Sequence, residues 1–217
     1  FQDLQRNRCG PRRHFLSNLS LRTVDIGERR ARLGLRHRLA SKPGTASLED
    51  VVDDLVVLHA TDPATIYLAV HARAPGATVE AIDNAMFERR SMLRTLAMRR
   101  TLFVATNDLL AAVERSSSVT VAATERKRLQ KFLGQSGIAD PADWLSAVFE
   151  EVLNALGDHT EGLPARELTK AVPVLATRIL MGAGTKNAVE AGATSRVLGL
   201  MAVEGQIVRG RPTGDWT

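Results

Sequence analysis

The chain has 217 residues and a formal net charge of +5, with 44% hydrophobic, 24% charged and 4% aromatic residues. That balance is globular, and it excludes wholesale disorder, a collagen-like repeat and a coiled-coil rod. No run approaches the roughly 18 apolar residues a membrane span needs, the single cysteine Cys9 cannot close an intramolecular disulfide, and no Cys/His cluster has zinc spacing.

The charge is unevenly spread. Residues 1–42 hold 11 Lys+Arg and 3 Asp+Glu, a net of +8, while residues 43–217 hold 18 and 21, a net of −3. A basic arm on a near-neutral body fits a partner that carries phosphates. Residues 1–22 read as a solvated arm, because Arg6, Arg8, Arg12, Arg13 and His14 lie among Asn, Gly and Pro with no apolar period. The arm lacks the apolar stretch of a secretory signal, and the lone cysteine points to a reducing, cytoplasmic setting. The opening at Phe1 without a methionine and the close at Arg209–Thr217 suggest a piece of a longer protein.

A helical pattern begins near residue 24, with Ile26, Leu33 and Leu35 as its apolar members, and Lys42-Pro43-Gly44 breaks it. Ser47 starts the next helix, with Asp50 in the capping-box position and Leu48, Val51, Val52, Leu55 and Leu58 on one face. Asp62-Pro63 opens a helix that runs to about Arg73, and Thr78 caps another that carries Ile82, Ala85 and Met86. The period then changes. Leu93–Thr106 has strand character, with Arg99 and Arg100 at its turn. Three helices followed by a hairpin is the order of a winged helix-turn-helix, and residues 23–106 form a first unit on this reading.

Residues 107–139 are expected as a polar helical connector, its cluster Arg126-Lys127-Arg128-Lys131 reading more as a solvated face than as a phosphate contact. Over 140–217 the order recurs. Asp140-Pro141 caps a helix through Leu153, Leu163–Thr169 holds a short second helix, Thr194–Met201 a third, and Gly205–Pro212 starts a wing strand. The fold class is therefore mainly α with small β-hairpin wings, in tandem winged helix-turn-helix units.

Such units bind DNA with Arg, Ser and Thr on the third helix and the wing. Arg89, Arg90, Arg94, Arg99 and Arg100 form this set in the first unit. Thr194, Ser195, Arg196, Arg209 and Arg211 form it in the second, where a helix N-terminus also favours phosphate. Double-stranded DNA is the partner expected. Nothing calls for a metal or a nucleotide cofactor.

Three pieces in order carry a family resemblance: Leu58-His59-Ala60-Thr61-Asp62-Pro63, then Arg94 through Leu102, then Ser195-Arg196-Val197-Leu198 with Gly205 through Arg211. Together they resemble the bacterial winged-helix DNA-binding family that includes the AlkZ- and YcaQ-type DNA glycosylases, over about residues 24–217. The resemblance implies tandem winged helices shaping a basic concave surface. It also implies DNA repair by hydrolysis of the N-glycosidic bond of alkylated or cross-linked bases, in a cytoplasmic, nucleoid-associated protein.

The family's catalytic signature is glutamine, an apolar residue, then glutamine or aspartate, directly before Asp-Pro. Here those places hold His59, Ala60 and Thr61, so the middle residue matches and both polar ones differ; a family variant has histidine in the first place. Arg100 stands where the family usually has glycine, and Phe103 where it often has histidine.

The chemistry asks for little. An alkylated purine is a cationic leaving group, so the site must place a water and stabilise an oxocarbenium-like sugar. Imidazole exchanges its proton near neutral pH, and His59 can accept one or orient the water. Thr61 can only hydrogen-bond it. Asp62 is the nearest carboxylate, expected to cap the following helix. His59 is expected at the end of the helix that Ser47 begins, facing the same basic surface as Arg94 and Arg99. Thr61 joins that side once the backbone leaves the helix before Asp62-Pro63. Two other classes stay open: a DNA-binding module or transcriptional regulator that has lost its catalytic pair, and a protein-interaction scaffold, for which the near-neutral body speaks.

Overall fold

The computed structural model describes residues 22–40, 46–184 and 186–212; the expected basic arm and the Pro-Gly break at 43–44 lie outside them. The protein is mostly helical with two small antiparallel sheets. Helix α1 (Ile26–Arg36) starts where the Asp25 carboxylate accepts the Glu28 N–H. Helix α2 (Leu48–Leu55) has the full reciprocal capping box between Ser47 and Asp50. It ends sooner than the apolar spacing suggests. Val56 turns to φ +70°, and Leu58 falls instead in the short strand β1 (Leu58–His59).

Asp62 caps α3 (Pro63–His71), accepting from the Ala64 N–H at 3.0 Å, and Pro63 occupies the first helical position, where its missing N–H costs nothing. Thr78 caps α4 (Val79–Asp83), which widens into a π-helical turn at Asn84–Glu88. Strands β2 (Met92–Leu96) and β3 (Leu102–Thr106) form the expected hairpin, and β1 joins it in the order β1-β3-β2. At the tip, Arg99 and Arg100 both hold left-handed backbone, at φ +57° and +58°. Two non-glycine residues in that region store of order 1–3 kcal/mol each, so the tip is strained.

Helices α5 (Asn107–Val113) and α6 (Val119–Gln135) meet through a second π turn at Glu114–Ser118. α6 is polar along most of its length but carries one buried apolar face. Its Leu129 and Leu133 enter the apolar cluster built by Leu145, Val148, Phe149 and Val152 of α7 (Pro141–Gly157). Helix α8 (Ala165–Ala171) adds Leu168, and α9 (Thr194–Val203) adds Val197, Leu200 and Met201. A separate cluster lies under the first sheet: Val52, Leu58, Ala60, Ile66, Val70, Ile82, Met86, Met92 and Val104.

The second hairpin is not where the sequence placed it. Strands β4 (Arg178–Met181) and β5 (Val189–Gly192) precede α9, and their connection uses Gly182 and Gly184 at φ +71° and +78°. Among the described residues, 205–212 hold no strand. The reason is local. Gly205, at φ +74°, closes α9 in a Schellman arrangement: the Gln206 N–H reaches Met201 O and the Gly205 N–H reaches Ala202 O. The residues that follow are committed to the first half of the molecule. Arg94 donates to Gly210 O at 3.3 Å, and Arg211 pairs with Asp83 at 2.6 Å and Glu88 at 3.2 Å. Residues 209–211 are a strap across the two clusters.

Candidate nucleic-acid interface

Strand β1 sets the geometry around the altered motif. Leu58 faces Val104 and His59 faces Phe103, and the Ala60 N–H donates to Leu102 O at 2.8 Å, extending the ladder by one residue. Side chains in such a segment alternate between faces. Leu58 and Ala60 are buried, at 3% and 1% exposure, while His59 and Thr61 are exposed. His59 therefore does not end a helix, as expected, but sits on a strand. The strand ends at His59, Ala60 adds one further ladder bond, and Thr61 follows exposed in the bend before Asp62. The His59 ring meets Phe103 edge-to-face, with centroids 5.7 Å apart. Asp62 is spent as a cap.

The register also separates residues expected together. Arg94, Val104 and Leu58 form one cross-strand row, and Thr95, Phe103 and His59 the next. Adjacent rows point to opposite faces, so His59 and Arg94 do not share a surface. Arg94 turns toward the strap, with its guanidinium 5.8 Å from the Phe87 centroid. Its Nε is buried and has no hydrogen-bond partner among the described residues. Burial pushes the Arg94 guanidinium below its ordinary range, and the charge of Arg209 adds to this. Burial likewise lowers Arg209. Arg209 is exposed as a residue, so the lost hydration concerns its guanidinium, which lies over Gly199. Both arginines stay charged at any physiological pH.

Five of the ten expected DNA-contact residues do converge. A cavity of about 350 Å³ opens between the first hairpin tip, α6 and α9, and Arg99, Arg100, Ser195, Arg196 and Arg209 line it. α6 contributes Glu125, Arg128, Leu129 and Phe132. Arg100 pairs with Glu125 at 3.0 Å, Arg128 approaches the same carboxylate at 3.8 Å, and Arg128 lies 5.5 Å from the Phe132 centroid. Arg99, Arg196 and Arg209 have no ion pair among the described residues.

The remaining expected contacts are elsewhere or engaged. Arg89 pairs with Glu49 at 3.0 Å and donates to Asn84. Arg90 is exposed, at φ +51°, and its carbonyl accepts from Asn107. Thr194 hydrogen-bonds Leu175 O and Thr169, inside the second half. Arg211 is held by two carboxylates and lies 5.1 Å from the Phe87 centroid. Asp83 also accepts from the Tyr67 hydroxyl at 2.6 Å; burial first, and then this carboxylate, push the phenol up to about 12.

The basic cluster of α6 is not one solvated face. Arg126 makes a bidentate pair with Glu204 at 2.6 and 2.7 Å, with its guanidinium 5.2 Å from the Phe149 centroid. Sequence reasoning missed Glu125, Arg128 and Phe132 as cavity residues. The signal was their spacing at i, i+3 and i+7, which places them on one helical stripe.

A family model described as DNA glycosylase AlkZ-like matches residues 52–217. No curated protein and no solved structure matches the chain.

Proposed function

The chain belongs to the AlkZ-like DNA glycosylase family, and from that premise we propose that it binds double-stranded DNA and hydrolyses the N-glycosidic bond of alkylated or cross-linked bases. The observation that carries this reading is that His59 is exposed on β1 and Thr61 is exposed two residues on, with the intervening Ala60 buried. His59 takes a proton from a water as the water oxygen bonds to the sugar C1′. The C1′–N bond breaks, and its electron pair leaves with the cationic base, which departs neutral. Thr61 orients the water by hydrogen bonding, and nothing in this sequence of events draws on a metal or cofactor. Only lesions with a good leaving group are expected to react, because no strong base stands at position 61.

The order α2, β1, α3, α4, β2, β3 supports a winged-helix reading of residues 23–106. Residues 140–217 complete a tandem arrangement with the hairpin moved ahead of the last helix, and 107–139 link the two. The cytoplasmic, nucleoid-associated setting goes with this reading. The test is release of free base from a duplex carrying N7-alkylguanine, with an undamaged duplex as control. A second reading, a DNA-binding module without catalysis, has one observation in its favour: neither His59 nor Thr61 lines the arginine cavity. Binding without base release favours it.

A further inference from the structure

The arginine cavity is built differently from a duplex-binding surface. Its roughly 350 Å³ suits one nucleotide and is far too small for a double helix. Five guanidinium groups line it against one carboxylate, Glu125, which serves Arg100 and approaches Arg128. Arg99, Arg196 and Arg209 are thus left without a counter-charge among the described residues. Arg209 is held there although burial disfavours its charge, and Arg99 is aimed there by a left-handed backbone that glycine would adopt without strain. Ser195 offers a hydroxyl at the first turn of α9. The lining also includes apolar and planar surface: Leu96, Leu129 and Phe132, with the Arg128 guanidinium 5.5 Å from the Phe132 centroid. Unpaired guanidinium groups together with a stacked guanidinium and aromatic ring in one lining match a phosphate joined to a base.

We propose that this cavity binds a single nucleoside phosphate, its phosphate on Arg99, Arg196 and Arg209 and its base against Arg128 and Phe132. Two sources share that chemistry, a free mononucleotide and the unpaired end of a DNA strand; the second rests on the DNA reading above. Leu96 lines the cavity and shares a sheet face with Arg94, not with His59, so the site is separate from the motif.

The full chain is titrated calorimetrically with dAMP and with inorganic phosphate. Anisotropy at one fixed salt concentration then compares a blunt duplex with the same duplex carrying a 5′-phosphorylated three-nucleotide overhang. The expected result is saturable one-to-one binding of dAMP, at least tenfold tighter than phosphate and at least tenfold weaker in Arg196→Ala and Arg209→Ala, with Arg196→Lys between. A tenfold preference for the overhang that disappears in Arg196→Ala identifies the strand end as the source; dAMP binding without that preference identifies the free nucleotide. Circular dichroism confirms that each variant is folded. No saturable dAMP binding together with no overhang preference, or binding that survives both alanine variants, overturns the proposal. If no duplex binds at all, the DNA reading fails and the dAMP titration alone decides the cavity.

Discussion

The two hairpins of this molecule solve the same geometrical problem with opposite means. The second turns through Gly182 and Gly184, which enter left-handed backbone freely, and its charged pair Arg178–Glu190 neutralises itself across the strands at 3.3 Å. The first turns through two arginines in the same disfavoured region, and it directs them at a cavity already rich in positive charge. Among the described residues, strained non-glycine backbone occurs at the first tip and not at the second, whose exposed Lys186 also has no ion pair. Arginine density alone therefore does not mark a contact surface. What distinguishes the cavity is that Arg99, Arg196 and Arg209 line it with no ion pair among the described residues.

Substitutions on either side of this contrast have different expected costs. The largest effect concerns His59, which lies outside the cavity lining. His59→Ala is expected to slow base release by roughly 10²–10⁴-fold, the range of a positioned acid or base, with DNA affinity kept; single-turnover rates and anisotropy on one substrate check both halves. Next, replacing Arg99 and Arg196 together by alanine should lower the slope of log affinity against log salt by about 0.9 for a duplex with an unpaired end, the value for the one phosphate no longer neutralised. The matching replacement of Arg89 and Arg211, both held by carboxylates, should leave that slope alone and lower the thermal midpoint.

A smaller effect is structural. Arg126→Ala removes the bidentate pair with Glu204 and the stack on Phe149, and is expected to cost about 1–2 kcal/mol in urea unfolding. The smallest sharpens the point about strain. Arg100→Ala keeps the strained backbone and loses an exposed ion pair worth about 0.2–1 kcal/mol. Arg100→Gly loses the same pair but relaxes the turn, so it should be the more stable of the two. The reverse order would show that the tip is not strained.

The local signals of the sequence carried far. Ser47 with Asp50, Asp62 before Pro63, Thr78, and Asp140 before Pro141 each cap the helix they were expected to cap, because capping depends on residues a few places apart. The first hairpin was legible through its change of period and its turn. What escaped was set by distant partners. Leu58 fits the apolar stripe of α2, but pairing with β3 outweighs that local pattern and places His59 on a strand. Residues 205–212 look like a strand, yet Gly205 is consumed in closing α9 and Arg211 is drawn to Asp83 and Glu88, more than a hundred residues earlier. The fate of an arginine is equally non-local. Position alone made Arg89, Arg196 and Arg211 equivalent, and only the carboxylates packed against them tell them apart.

On the reading proposed above, the His59–Thr61 face and the arginine cavity divide the work between reaction and grip. One substrate tests that division directly: a duplex with a single N7-alkylguanine and a phosphorylated unpaired end, on which affinity and single-turnover base release are measured for the parent, His59→Ala and Arg99→Ala with Arg196→Ala. His59→Ala is expected to bind like the parent and release base far more slowly. The double variant is expected to bind at least tenfold more weakly yet release base at the parent's rate once saturated. Parallel loss of both properties in both variants, or no base released by the parent, would contradict the division.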